Sequence, residues 1–89
     1  MQATATLDEH AVGKLRWRCR RGLLENDLFL ERFFARHGRS LSPQQGVLLE
    51  ELMQLADNDL MDLFMRRREP AGELDRPDVR ELLELLRAR

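Results

Sequence analysis

The chain has 89 residues, of which 43% are hydrophobic and 35% are charged. This balance excludes a disordered chain, and the length favours a single folded domain. The formal net charge is −1, from 15 basic and 16 acidic residues, which argues against a dedicated nucleic-acid-binding protein because such domains are usually strongly basic.

The first predicted helix follows a short tail. Residues 1–6 are expected to form a loose N-terminal tail, and residues 7–89 a single domain. Val12, Leu15 and Cys19 share one helical stripe. We therefore expect them to face the core, with Cys19 acting as a small buried hydrophobe.

A second helix is predicted from residue 23 to about residue 36. Its apolar residues cover more than one face, which is typical of a helix at the centre of a domain. We expect Gly38 to end this helix in a left-handed cap. The apolar residues are Leu23, Leu24, Leu28, Phe29, Leu30, Phe33 and Phe34.

A capping box starts the third predicted helix. Ser42 stands at the N-cap, Pro43 at the first helical position and Gln45 at the third, a combination that strongly favours a helix start. We expect the helix to run to about Ala56. Its core-facing residues are Leu48, Leu52 and Leu55.

Two further helices complete the prediction. Asp57 is expected to cap a short fourth helix that ends in the arginines at 66–68, and Asp75 a last helix with Pro77 in its first turn. No run alternates apolar and polar residues as a half-buried strand would. The sequence therefore predicts an all-α fold, a small single-domain bundle of five helices. The last helix buries Val79, Leu82, Leu83 and Leu86.

Little in the sequence favours catalysis or metal binding. His10 lies near the N-terminus and His37 precedes a glycine expected to end a helix, so neither completes a catalytic arrangement. No histidine or cysteine pair has the spacing of metal ligands, and no glycine-rich phosphate loop occurs. We therefore expect no enzymatic activity and no metal site.

The sequence also carries no signal for secretion or membrane insertion. The first ten residues, MQATATLDEH, contain no basic start and no apolar run, unlike a secretory signal. No stretch approaches the roughly 20 apolar residues that cross a bilayer. With a single cysteine, no intramolecular disulfide forms. We expect a soluble, cytoplasmic protein.

A basic stretch precedes the second predicted helix. A basic helix formed by this stretch, with an aromatic side chain among the basic ones, could contact nucleic-acid phosphates or acidic groups on a protein partner. Alternatively, Trp17 is a half-buried anchor on which Arg21 stacks. The stretch spans only about two helical turns. Its members are Lys14, Arg16, Trp17, Arg18, Arg20 and Arg21.

Arg21, Gly22 and Glu25 allow two interpretations. In the first, Gly22 ends the first helix or caps the second, and Glu25 reaches back to the Gly22 amide as the second member of a capping box. In the second, Gly22 lets a partner approach the backbone closely, while Arg21 and Glu25 make directed polar contacts. The residues alone leave both interpretations open.

The pattern Trp17-x-Cys19-Arg20-Arg21-Gly22-x-x-Glu25-x-Asp27 resembles the signature of the small flavinylation factors of succinate dehydrogenase. The resemblance extends from about Lys14 to the C-terminus. It implies a five-helix fold without enzymatic activity, which helps attach FAD covalently to the flavoprotein subunit of succinate dehydrogenase or fumarate reductase. The attachment chemistry then belongs to the client, and no cofactor is bound stably by the factor.

The resemblance also implies a partner-binding site. Arg21, Gly22 and Glu25 are its key positions, with Trp17 and Asp27 as supporting candidates. The basic face adds Arg16 and Arg20 to these positions. The predicted partner-binding residues are therefore Arg16, Trp17, Arg20, Arg21, Gly22, Glu25 and Asp27. The expected protein is a monomer, with no nucleic acid among its partners and no direct insertion into a membrane. An antitoxin that binds a small toxic protein is the alternative function, and a small nucleic-acid-binding protein a further one.

Overall fold

The computed structural model describes residues 6–20, 22 and 24–88. Within these residues it contains five α-helices, two single 3-10 turns and no β-strand, which confirms the predicted all-α fold. Most of the predicted tail, residues 1–5, lies outside the described part. The helices are α1 (Glu9–Arg18), α2 (Leu24–His37), α3 (Pro43–Leu52), α4 (Asp57–Phe64) and α5 (Pro77–Arg87), and the 3-10 turns are Gly38–Ser40 and Gly72–Leu74.

Helix α2 lies at the centre of the bundle, as its apolar pattern predicts. It packs against both α4 and α5, and Leu30, Phe33 and Phe34 are buried. The rings of Phe29 and Phe64, with centroids 5.2 Å apart, join α2 to α4. The opposite face of α2, which carries Leu24 and Leu28, is exposed to solvent.

The predicted capping box of α3 is present. The Ser42 hydroxyl accepts a hydrogen bond from the Gln45 amide at 3.1 Å, and the Gln45 side chain accepts one from the Ser42 amide at 3.0 Å. Pro43 occupies the first turn. The helix ends at Leu52 instead of continuing to Ala56, and the chain turns before α4 begins.

Two predicted aspartate caps are wrong by one residue. Asp57 is the first residue of α4 and Ala56 its N-cap, which makes no side-chain cap. Arg76 is the N-cap of α5, while the predicted cap Asp75 accepts a hydrogen bond from Arg80 at 2.8 Å. An acid stabilises the start of a helix either as the N-cap or, through the helix dipole, in the first turn. The residue type alone therefore does not show which of these two positions an aspartate occupies.

The left-handed cap predicted for Gly38 is also wrong. Gly38 continues α2 into a 3-10 turn, and the described glycines with positive φ are Gly22 and Gly72. The left-handed cap occurs instead at the end of α4, where Arg66 has φ 61°. The Arg67 amide there donates to the Asp62 carbonyl at 2.9 Å, a pattern that usually has glycine at the left-handed residue.

Arg66→Gly should stabilise the protein. Glycine adopts a positive φ without the strain that a side chain causes, so we expect the free energy of unfolding to rise by about 1 kcal/mol. The lost ion pair with Glu84 joins side chains that are 56% and 58% exposed, and such pairs contribute little. Thermal unfolding measures the change. Arg67→Gly, at a residue without positive φ, is the matched control and should lower stability.

Arg87, near the end of α5, is a buried arginine that the sequence did not predict. Its side chain is 2% exposed. It donates to the Leu63 carbonyl at 2.7 Å and to the Arg68 carbonyl at 3.1 Å. Glu69 and Glu84 lie 3.4 Å and 3.3 Å from the same guanidinium. Arg87 therefore holds the end of α4 and the following loop against α5.

Candidate functional site

Helix α1 carries Arg16 and Trp17 of the predicted site and contacts neighbouring helices on both sides. Its inner residues Leu15 and Cys19 are buried, as the stripe predicts. Arg16 forms an ion pair with Glu31 of α2. Arg18 forms another, at 2.8 Å, with Glu50 of α3. The buried side chains hold α1 against the core, and the two exposed ion pairs add little stability but bring its outer face next to α2 and α3.

A groove between α1 and α2, with a volume of about 380 Å³, brings several predicted site residues together. Trp17 stands at the groove with 75% of its surface exposed, so the interpretation as a half-buried anchor is wrong. Arg20 is exposed and forms no ion pair within the described residues. The groove is lined by Gly13, Arg16, Trp17, Arg20, Asp27 and Glu31.

The charge of the groove wall is set by Arg16 and Glu31. The hydrogen bond from Arg16 lowers the pKa of the Glu31 carboxyl, against a partial desolvation that raises it, and the positive charges of Arg16 and Arg20 lower it further. The same hydrogen bond raises the pKa of Arg16. Both groups are therefore ionised at neutral pH, and Arg16 can contact a partner only by sharing or exchanging Glu31.

Gly22 has φ 84°, is exposed and lies between the end of α1 and the start of α2. Helix α2 begins at Leu24, and residue 23 lies outside the described residues. An N-cap residue has an extended backbone, whereas Gly22 has a positive φ. The capping box between Gly22 and Glu25 is therefore wrong. Arg21, one of the three key positions that the resemblance implies, also lies outside the described residues.

Glu25 lies in the first turn of α2 and is exposed. Neither a hydrogen bond nor an ion pair joins its carboxylate to the described parts of the chain. A negative charge is favourable at this end of a helix, but the Glu25 oxygens accept no capping hydrogen bond from the described residues. The carboxylate is open to a partner that approaches beside Gly22.

Gly22→Ala should destabilise the protein. A Cβ at this position meets no atom within 4 Å, so steric overlap adds nothing, but the positive φ should cost about 1 kcal/mol. The strain would thus lower the melting temperature in addition to any effect on a partner.

D-alanine at position 22 separates strain from contact, because it adopts a positive φ without strain. Two synthetic segments can be ligated between Arg18 and Cys19 to introduce it. We expect this protein to melt like the wild type and to bind its partner more weakly. Unchanged binding would show that Gly22 serves only the turn.

Leu24 and Leu28 were predicted as apolar positions of the second helix, but the structure leaves them 69% and 46% exposed. They are four residues apart and form an apolar ridge on α2, on the side away from the buried Leu30 and Phe33. The ridge adjoins Asp27 in the sequence. The sequence contains a partial signal for this exposure, because on a helical projection the two leucines lie opposite Asn26, Leu30 and Phe33. The pattern alone does not show which of the two sides the other helices cover.

Asn26 connects the first turn of α2 to α4. Its side chain is fully buried, and its Nδ2 donates to the Asp57 carbonyl at 3.1 Å. Its Oδ1 has no hydrogen-bond partner among the described residues, a cost of about 1–3 kcal/mol. The contact fixes the rotation of α2, which places Glu25 and Asp27 on the outside.

Gly13 is a site residue that the sequence did not single out. It lies in the middle of α1 and is exposed. Glycine in a helix interior is less stable than alanine by about 0.5–1 kcal/mol. A Cβ at Gly13 would meet no atom within 4 Å, so packing does not explain the glycine.

Other kinds of site receive no support. The described residues contain no group of histidines, cysteines and acids that could hold a metal ion. No helix in that part of the chain has the length and apolar character needed to cross a bilayer. The acids of α4 belong to a solvated surface, where Asp59 pairs with Arg68 and Asp62 with Arg67.

Comparison with known proteins agrees with the resemblance. A family model described as Flavinator of succinate dehydrogenase matches residues 13–89. Relatives named FAD assembly factor SdhE include that of Ralstonia nicotianae, 56% identical over 81 residues, covering 91% of this chain and 85% of the relative. Those of Coxiella burnetii and Pseudomonas aeruginosa are 33% and 32% identical, covering 84% and 86% of this chain and 92% of each relative. No solved structure matches the chain significantly.

Proposed function

This chain belongs to the family of flavinators of succinate dehydrogenase, and on this premise we propose that it is an FAD assembly factor. It binds the flavoprotein subunit of succinate dehydrogenase and promotes the covalent attachment of FAD to that subunit. The observation that carries the proposal beyond the family is the groove that joins Trp17, Arg20 and Asp27, close in sequence to Gly22 and the open carboxylate of Glu25.

The factor has no enzymatic activity of its own and holds no FAD stably. The bond to the flavin forms on the client subunit, with the client's own groups. Binding of the factor promotes that reaction only if it favours the client conformation in which the reaction occurs. The role of the chain's residues is therefore to recognise and stabilise one state of the subunit.

Different side chains contribute to this recognition in different ways. Trp17 and the ridge of Leu24 and Leu28 supply apolar area that is buried on binding, and tryptophan is among the residues that most often carry a large share of the binding energy. Arg20 and Glu25, of opposite charge, fix the orientation of the partner. Arg21 adds a planar group suited to a carboxylate.

The clients include fumarate reductase, whose flavoprotein subunit also requires covalent attachment of FAD. The factor is a cytoplasmic protein and acts as a monomer. Sedimentation of the purified chain tests the oligomeric state. A dimer at micromolar concentration would contradict it.

Covalent flavin fluorescence in denaturing gels tests the function. The flavoprotein subunit is produced with and without this chain in a host that lacks its own flavinylation factor. We expect fluorescence of the subunit to depend on the chain. Equal fluorescence without it would exclude the proposed function, whereas rescue of growth from a co-expressed toxic protein would favour an antitoxin.

A further inference from the structure

The helix interiors of the described chain contain two glycines, and only one has a structural explanation. A Cβ at Gly46 of α3 would lie 3.2 Å from the Leu7 side chain and 3.5 Å from that of Leu15. Gly46 is buried, and it lets α3 pack closely on α1 and the N-terminal segment. Gly13 of α1 has no such neighbour, because the space beside it is open.

Three surface hollows meet at Gly13. One is the groove of the candidate site, which it shares with Trp17 and Arg20. A second lies on the other side of Trp17, next to His10, and a third reaches Phe34 of α2. A side chain at position 13 would stand at the junction of all three and narrow each of them.

We propose that Gly13 is a partner-contact residue, which lets a segment of the flavoprotein subunit lie directly on the backbone of α1 beside Trp17. The inference rests on the proposed function. A helix that keeps a destabilising glycine at an exposed position, with no neighbour to accommodate, gains close approach of another chain. The contact is continuous with the groove that holds Arg20 and Asp27.

The groove indicates the chemistry of the segment. Trp17 offers an apolar face that is 75% exposed. Arg20 lies at the same groove and forms no ion pair within the described residues. Arg16 and Glu31, which also line the groove, neutralise each other as an ion pair. The matching segment carries small or apolar residues against Gly13 and Trp17, and a carboxylate against Arg20.

Gly13→Ala and Gly13→Gln test the inference because they should raise the melting temperature and lower the affinity for the subunit. Both replacements improve helix propensity, so we expect melting temperatures about 2–8 °C above the wild type. Affinity for the purified flavoprotein subunit, measured by calorimetry, should fall, by about tenfold or more for glutamine and less for alanine. Glu81→Gln, which puts the same side chain on an exposed position of α5, should leave affinity unchanged.

The outcomes separate the inference from the function. If the wild type binds the subunit and Gly13→Gln binds equally well, Gly13 is not a contact and the inference fails alone. If the wild type does not bind, the proposed function fails and the inference with it. A melting temperature of Gly13→Ala below that of the wild type would show a structural role and overturn the argument.

Discussion

Glu25→Gln is expected to abolish most of the flavinylation that the chain supports, while its melting temperature changes by only a few degrees. The carboxylate is exposed and forms no hydrogen bond or ion pair with the described residues, so its loss removes only the favourable interaction with the helix dipole, about 0.3–1 kcal/mol. A hydrogen bond to a charged group is worth about 1.5–3 kcal/mol. That range corresponds to roughly a tenfold to hundredfold weaker affinity for the flavoprotein subunit.

The measurement combines thermal unfolding, binding to the subunit and covalent flavin fluorescence. Glu81→Gln makes the same chemical change at an exposed position of α5 and should leave all three unchanged. If Glu25→Gln supports flavinylation at the wild-type level, the charge at position 25 serves the helix and not the partner. Arg21→Ala should reduce flavinylation in the same way.

Arg87→Ala is expected to lower the free energy of unfolding by about 3 kcal/mol, a large part of the stability of an 89-residue domain. The guanidinium satisfies the Leu63 and Arg68 carbonyls. Alanine removes the guanidinium from both carbonyls, of which that of Leu63 keeps only the longer bond from the Arg66 amide at 3.3 Å, and it opens a cavity where the arginine stem lay. The melting temperature should fall by at least about 10 °C.

Chemical denaturation measures the change directly. Arg80→Ala is the matched control, because Arg80 also lies on α5 and pairs with Asp75, but its side chain is 45% exposed. Removing such a surface pair should cost less than about 1 kcal/mol. Equal losses in the two variants would show that burial of Arg87 adds nothing to its contacts.

Local signals in the sequence were sufficient for much of the fold. Ser42, Pro43 and Gln45 specify a helix start within four residues, so the capping box was predictable without knowledge of the remaining chain. The buried stripe of Leu15 and Cys19 follows from helical spacing alone. These features depend on neighbours along the chain, which the sequence shows directly.

Features set by tertiary contacts were not predictable. The sequence could not indicate that Gly38 continues a helix and that Arg66 takes the left-handed conformation, which arginine disfavours. The path of the chain decides which residue turns. Burial of Arg87 depends on carbonyls of α4 and the following loop. Exposure of Leu24 depends on how many helices cover α2.

The same distinction applies to the candidate site. The resemblance indicated Trp17 and Asp27, the basic stretch indicated Arg20, and the structure brings all three to one groove. The sequence gave no reason to consider Gly13, because a single glycine in a short helix is not a motif. Its interest appears only when the space around it is known to be open.

Burial of Cys19 makes this thiol a reporter for the segment beside the candidate site. Cys19 is the C-cap of α1, and only 1% of its surface is exposed. A water-soluble thiol reagent can react only when the end of α1 separates from the core, so the labelling rate measures how often this opening occurs. A bound partner that holds α1 and the Gly22 turn together would slow labelling, giving a kinetic assay that needs no flavin.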